Sequence, residues 1–250
     1  MSSLVIVKPY APTAASGVAT YDRALTSDPK ETMLVPGTGG NINIDFGTAV
    51  AVDSLFLGYH TATADQQFVV ISTGSLGGAQ TGVLFPVAQA TALGGGPPYH
   101  AFYRAGAPMT SRYWQIQLNG GTGNVAWQLG VAALGLAFQP YYGREYGSGR
   151  GLDDTSTVTR LFGGGFGIDE GAIAPWWQWT MGDLTDAEVQ TLYRMLRNTG
   201  ESRRIIVAED PDRVAGQNEG LHYGLLAKID AYDRFAPGAS RWSLRVNEWL

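Results

Sequence analysis

Residues 41–46 read Asn41-Ile42-Asn43-Ile44-Asp45-Phe46, an unbroken alternation of polar and apolar side chains. Successive side chains of a strand point to opposite faces, so Ile42, Ile44 and Phe46 share one face and Asn41, Asn43 and Asp45 the other. Further along, Arg112-Tyr-Trp-Gln-Ile-Gln-Leu118 repeats the pattern, with Trp114, Ile116 and Leu118 inward and Tyr113, Gln115 and Gln117 outward. One apolar and one polar face is the mark of antiparallel strands packed on a core from one side. Residues 50–58, 67–73, 81–87 and 125–136 are further strand candidates. Between them lie Pro36-Gly-Thr-Gly-Gly40, Gly94-Gly-Gly-Pro-Pro98 and Asn119-Gly-Gly-Thr-Gly123, residues that favour tight turns. Short strands joined this way predict a β-sandwich or jelly roll over residues 1–140.

Composition agrees with that reading. The chain of 250 residues has 34 glycines, 12 prolines and no cysteine. Glycine is about twice its usual ~7%, which suits turn-rich β structure and disfavours a helical bundle. The missing cysteine removes thiolate nucleophiles, disulfide frameworks and most structural zinc sites. With 17 Lys and Arg against 22 Asp and Glu, the net charge of -5 argues against a nucleic-acid duplex as partner. Residues 1–8 lack a basic leader and carry only a four-residue apolar run, and no stretch reaches the ~20 apolar residues of a membrane helix. The expectation is a soluble product of cytoplasmic synthesis without membrane insertion.

Composition changes at Gln139-Pro-Tyr-Tyr-Gly143 and Tyr146-Gly-Ser-Gly-Arg-Gly151, which reads as a linker and places a domain boundary near residue 140. In residues 141–250, Thr185-Asp-Ala-Glu188 is a capping box, with Leu184 and Val189 as its hydrophobic staple. Val189, Leu192 and Leu196 then recur at helical spacing up to Asn198-Thr-Gly200, which predicts one helix over about 185–199. Strands are expected at 176–181, 203–208, 223–232 and 241–249. The fold class is mainly β: a jelly roll followed by a β-rich domain carrying that single helix.

Catalytic signatures are absent from the sequence. His60, His100 and His222 have no second histidine at ligand spacing, and they read as turn or surface imidazoles. Asp153-Asp154 and Glu209-Asp210-Pro-Asp212 are paired acids, but neighbours on a strand point apart, and the second group reads as a polar turn. Gly163-Gly-Gly-Phe-Gly167 has no Lys-Ser/Thr after it and reads as a loop or strand hinge. No catalytic residue, cofactor site or metal site is assigned. The aromatic residues remain. Pro175-Trp-Trp-Gln-Trp-Thr180 puts Trp177 and Trp179 on one strand face and Trp176 on the other; one face can be core and the other a subunit interface. Trp176, Trp177 and Trp179 are therefore candidate interface residues, with a strand buried on both faces inside the chain as the alternative. Tyr99, His100, Tyr103 and Arg104, after Pro97-Pro98, are candidate contacts for a glycan or a neighbouring protein, with ordinary loop packing as the alternative.

Two family likenesses rest on these residues. Tyr21-Asp-Arg-Ala-Leu-Thr-Ser-Asp-Pro-Lys30, Ile42-Asn-Ile-Asp-Phe-Gly47 and Val52-Asp-Ser-Leu-Phe-Leu57 resemble, in order, the turn and strands of galactose-binding-like, discoidin-type jelly rolls. That resemblance implies binding of glycans or other surfaces through loops at one end of the roll. The second half, from Gly165-Phe-Gly through the Trp-rich strand, Arg203-Arg-Ile-Ile-Val-Ala-Glu-Asp-Pro-Asp212 and Leu221-His-Tyr-Gly224, is similar to distal-tail ring proteins of long-tailed bacteriophages. It implies a structural, non-enzymatic virion protein of the tail tip or baseplate. Such a protein would contact copies of itself in a ring and neighbouring hub and tail-tube proteins. Those ring proteins place the ring-forming part first, an order reversed here. The alternative function is a carbohydrate-binding module for host surface glycans.

Overall fold

The computed structural model describes residues 4–17, 32–63, 66–89, 99–212 and 218–249. It is mainly β. Strands β1 (Val5–Pro9), β2 (Ala14–Gly17), β3 (Met33–Val35), β4 (Gly40–His60), β5 (Gln67–Thr73), β6 (Gln80–Gln89), β7 (Tyr99–Asn119), β8 (Trp127–Leu129) and β9 (Val131–Phe138) make the first half. The separate strands expected at 41–46 and 50–58 are one 21-residue strand, β4. Gly47 turns the backbone at φ +76°, the Asp45 Oδ1 accepts its N–H at 2.7 Å, and the register with β7 shifts between Asp45 and Val50. Such bulges bend a strand without ending it. The core is the one read from the alternation: Ile42, Ile44, Trp114, Ile116 and Leu118 are buried with Phe68 and Val70. The β3–β8 pair covers it with Met33, Val35, Trp127 and Leu129.

The second half holds β10 (Gly149–Asp154), β11 (Thr157–Arg160), β12 (Phe166–Asp169), β13 (Ile173–Leu184), helix α1 (Asp186–Thr199), β14 (Arg204–Ala208), β15 (Leu221–Leu226), β16 (Asp233–Ala236) and β17 (Ala239–Glu248). Thr185 caps α1 as expected: its Oγ1 accepts the Glu188 N–H at 3.3 Å, and its own N–H donates to Glu188 Oε2 at 2.8 Å. A cap of this kind contributes about 0.5–2 kcal/mol. Leu184, Val189, Leu192 and Leu196 bury the inner face of the helix against Trp242 and Leu244. One expected linker is partly strand: residues 149–151, the end of the linker-like stretch, open β10, which pairs with β13. Ladder hydrogen bonds to a neighbour outweigh weak local propensity there. The glycine-rich 163–165, by contrast, is the turn of the β11–β12 hairpin, as the loop reading expected.

Strand β1 joins the two halves. Its run Leu4-Val5-Ile6-Val7 is buried on both faces, as befits a central strand. It pairs antiparallel with β14 on one side (Val5↔Ala208) and with β9 on the other (Ile6↔Phe138). Leu4 and Ile6 enter the second-half core beside Trp179 and Ile205, while Val5 and Val7 pack with Phe56, Phe102 and Tyr223. Aromatics tighten this junction. Phe56 and Tyr223 stack at 5.4 Å, and the Tyr59 hydroxyl donates to the Trp249 carbonyl. Tyr59 holds φ +55°, a strained conformation for a bulky residue.

Candidate functional site

Three adjacent strands, β4, β7 and β5, turn their uncharged polar side chains to the same outer face. Asn41 lies opposite Gln117 and Asn43 opposite Gln115, while Asn119 faces Gln67 on β5. Alternation makes this necessary: the intervening Ile42, Ile116, Leu118 and Phe68 fill the core, so the amides must face out. The amides are tied into a ladder. Gln117 Nε2 donates to Gln115 Oε1 at 2.7 Å, Gln115 Nε2 to Asn43 Oδ1 at 2.6 Å, and Asn43 Nδ2 to Ser16 Oγ at 3.4 Å. Beyond Asn43 the row ends at Asp45, which Arg112 clamps with two bonds of 2.8 and 2.9 Å. That clamp holds the Asp45 carboxyl below its usual range.

Over the open end of the ladder is a groove of about 680 Å³. Asn41, Asn43, Gln67, Gln117, Asn119 and Thr38 supply its polar side chains, and no ionisable residue is among the described residues that line it. The exposed Asn41 amide and the Gln117 carbonyl oxygen carry no hydrogen bond from the described residues. An amide presents a donor and an acceptor side by side, which suits neutral polyhydroxylated ligands. Internal bonds fix the rotamers of Gln115 and Gln117, so less side-chain entropy is lost on binding.

The residues singled out from sequence do not converge on one site. Tyr99, His100, Tyr103 and Arg104 belong to strand β7 rather than a loop, so they alternate between faces. Tyr103 packs on Phe68 at 4.5 Å, and Tyr99 lies 5.9 Å from the His60 ring. Arg104 lies 3.6 Å from Asp53 and also donates to Gln139. Trp177 and Trp179 are 1% exposed and stack on each other at 4.6 Å, so they are core and cannot form an interface. Trp176 is half-buried: Arg245 lies 4.3 Å over its ring, and its indole edge lies against Gly151 on β10. His100 and Trp176 share a cavity of about 430 Å³ that also includes Arg150, Asn218 and Glu248.

Beside that cavity is a charged cluster that the sequence concealed. His222 is 2% exposed, not a surface imidazole; its Nε2 lies 2.9 Å from Glu209 Oε1 and its Nδ1 2.5 Å from Glu248 Oε1. Arg144 and Arg150 donate to the same Glu209 carboxylate at 2.6 and 2.5 Å. Trp177 stacks on the imidazole at 4.8 Å. Burial raises the Glu209 carboxyl, but the bonds from His222, Arg150 and Arg144 outweigh it and hold the pKa at about 2. Burial lowers His222, and its two carboxylate partners more than reverse that. Both ring nitrogens are engaged by carboxylates, so this histidine has no lone pair free for general-base chemistry. Glu209, expected in a polar turn, is instead the hub of an ion network. Among the described residues, no group of three or more His, Asp and Glu is placed to hold a metal ion, and no helix is long and apolar enough to cross a membrane.

No family model and no curated protein matches the chain. Solved structures of carbohydrate-binding modules are similar over about half of it. A chitosan-binding module from a chitosanase/glucanase of Paenibacillus sp. IK-5 is 14% identical with a TM-score of 0.38, covering 50% of this chain and 97% of that one. The family 32 module of C. perfringens NanJ, solved with galactose, is 12% identical with a TM-score of 0.40, covering 54% and 99%. The AlyQ module, solved with 4,5-unsaturated mannuronic acid, is 18% identical with a TM-score of 0.38, covering 50% and 96%. At these values the likeness assigns no residue a role, and the comparisons give the tail-tip resemblance no support.

Proposed function

We propose that the chain is a carbohydrate-binding protein that holds a neutral glycan on the outer face of β4, β7 and β5. One observation carries the reading: a groove of about 680 Å³ lined, among the described residues, by five side-chain amides and no ionisable residue. A charged ligand would lose hydration there without gaining a counter-charge, whereas sugar hydroxyls exchange water for paired amide bonds. In this reading the site is a sheet face, with Thr38 and Gly39 of the turn before β4 at its edge, where the jelly-roll resemblance implied loops at one end of the roll.

A glycan array probed with the full chain tests this reading. Binding of neutral oligosaccharides is expected, and Asn41→Ala and Gln117→Ala should each weaken it about five- to tenfold, the value of one or two hydrogen bonds. The Asn41 side chain makes no hydrogen bond to the described residues, so its truncation leaves the β4–β7 ladder intact. Silence across neutral glycans, or unchanged affinity in both variants, refutes the proposal.

A second reading is a structural subunit, of a phage tail tip in the sequence resemblance; the β11–β12 hairpin supports its general part, cover by another chain. Val158, Leu161, Phe162, Phe166 and Ile168 are all exposed on it, Phe162 completely. Two-stranded hairpins are marginal alone, and an apolar patch of this kind favours cover by another chain. Under this reading copies would assemble in a virion ring next to hub and tail-tube proteins, with the hairpin as the contact. The native mass of the purified full chain is then a multiple of the monomer, and Phe162→Ser with Phe166→Ser dissociates it. A monomer at high micromolar concentration sinks this reading.

A further inference from the structure

A second cavity lies elsewhere, where β1 and β2 run past the start of β14. It measures about 820 Å³, and Lys8, Arg203 and Arg204 line it together with Tyr10 and Phe46. No aspartate or glutamate is among the described residues lining it. In a chain of net charge -5, three cations gather here, and none has an ion pair among the described residues.

The hydrogen-bond and ring partners of the two arginines are neutral groups. Arg203 donates to the Asn198 carbonyl at 3.0 Å, beyond the C-terminal turn of α1. Arg204 lies 4.5 Å over the Trp249 ring, and its buried Nε has no hydrogen-bond partner among the described residues. Burial, and then the charge of Arg203, lower the Lys8 ammonium below its ordinary value. Asp53, whose charge reaches Tyr10, is already engaged by Arg104, Ser54 and the Ala137 N–H. Lys8 and Arg204 are partly buried with Arg203 exposed at the rim, and an anion between them would offset the repulsion of their like charges. Arginine guanidinium groups also match planar carboxylates and sulfates with paired N–H donors.

We propose that this cavity binds an acidic saccharide, its carboxylate or sulfate held by Lys8, Arg203 and Arg204 and its ring set against Tyr10. The aromatic wall beside the cations favours a sugar acid over a free inorganic ion, because an inorganic ion gains nothing from Tyr10 and Phe46. The cavity is separate from the amide groove and does not depend on it.

Calorimetric titration of the full chain with tetragalacturonate, a sulfated heparin tetrasaccharide, cellotetraose and a single-stranded oligonucleotide tests the inference. One of the two acidic chains is expected to bind, which identifies the substituent. Its affinity should fall several-fold as ionic strength rises from about 0.02 to 0.2 M. Arg203→Gln with Arg204→Gln should weaken it about tenfold or more, and Lys8→Met should do so independently if the double variant folds poorly. Cellotetraose reports on the amide groove alone, so failure of either site is seen separately. No saturable binding by either acid, equal affinity for cellotetraose with salt-independence, tighter binding of the oligonucleotide, or unchanged affinity in Lys8→Met overturns the inference.

Discussion

Glu209→Ala is expected to lower the unfolding free energy by about 3 kcal/mol, because it leaves the buried His222 and the partly buried Arg144 without their shared acceptor, along with the exposed Arg150. Arg144, Arg150 and His222 all converge on this carboxylate, whose side chain is only 12% exposed. Arg144 also lies over the Trp177 ring at 5.4 Å, so its displacement would disturb the stack against His222. Glu209→Gln keeps the shape but not the charge, and should fall between alanine and the parent. Urea denaturation of the three proteins at pH 7 is the measurement, and a loss below about 1 kcal/mol for alanine would contradict this account of the network. The pH signature is specific. Glu209 is held near 2 in the folded chain against 4.5 ordinarily, so its contribution is complete above about 4.5 and is lost as pH falls towards 2. His222 is raised in the folded chain, so its contribution is complete below about 6.5 and is lost as pH climbs through its folded value.

Mild acid is expected to destabilise the fold through the other two histidines. His60 is fully buried beside Tyr99 and Trp127, and neither ring nitrogen has a hydrogen-bond partner among the described residues. Burial, and then the charge of His100, push its pKa down to about 3. His100 is pushed down to about 4, chiefly by burial, with Phe56 and Tyr59 against its ring. Between pH 6.5 and these values the unfolded chain binds protons that the folded chain refuses, so stability falls as pH falls. At pH 5 each histidine should have cost about 2 kcal/mol relative to pH 8, or about 4 kcal/mol together. His60→Leu keeps similar volume and removes two unpaired polar atoms. It should be more stable than the parent at pH 5 by about 2 kcal/mol, with a flatter pH dependence. Parallel stability curves for parent and variant between pH 5 and 7 would contradict the assignment.

How much of this was legible varies with how local the signal is. Capping at Thr185, the strand at Gln67–Thr73 and the division of Trp177 and Trp179 from Trp176 depend on near neighbours, and each is present. The outward amides of 41–43 and 115–117 were readable too. Their meeting was not, because Asn43 finds Gln115 only through pairing across 72 positions. Strand β1 was missed since four apolar residues carry no period, and only two flanking strands make them a centre. Pro97-Pro98 suggested a loop, yet β7 begins immediately after, at Tyr99. The Glu209 hub draws Arg144, Arg150, His222 and Glu248 from separate segments, a pattern that spacing along a chain cannot display.

The shared strand has a consequence for how the chain is assembled. Val5 is made about two hundred residues before its partner Ala208, so one edge of β1 stays open throughout synthesis of everything between them. Contacts of such long range are slow to form, and an unpaired apolar edge is a template for association with other nascent chains. The same applies to a fragment cut near residue 140: it would keep β1 but lose β14, and so would carry a sticky border that the intact chain closes on itself.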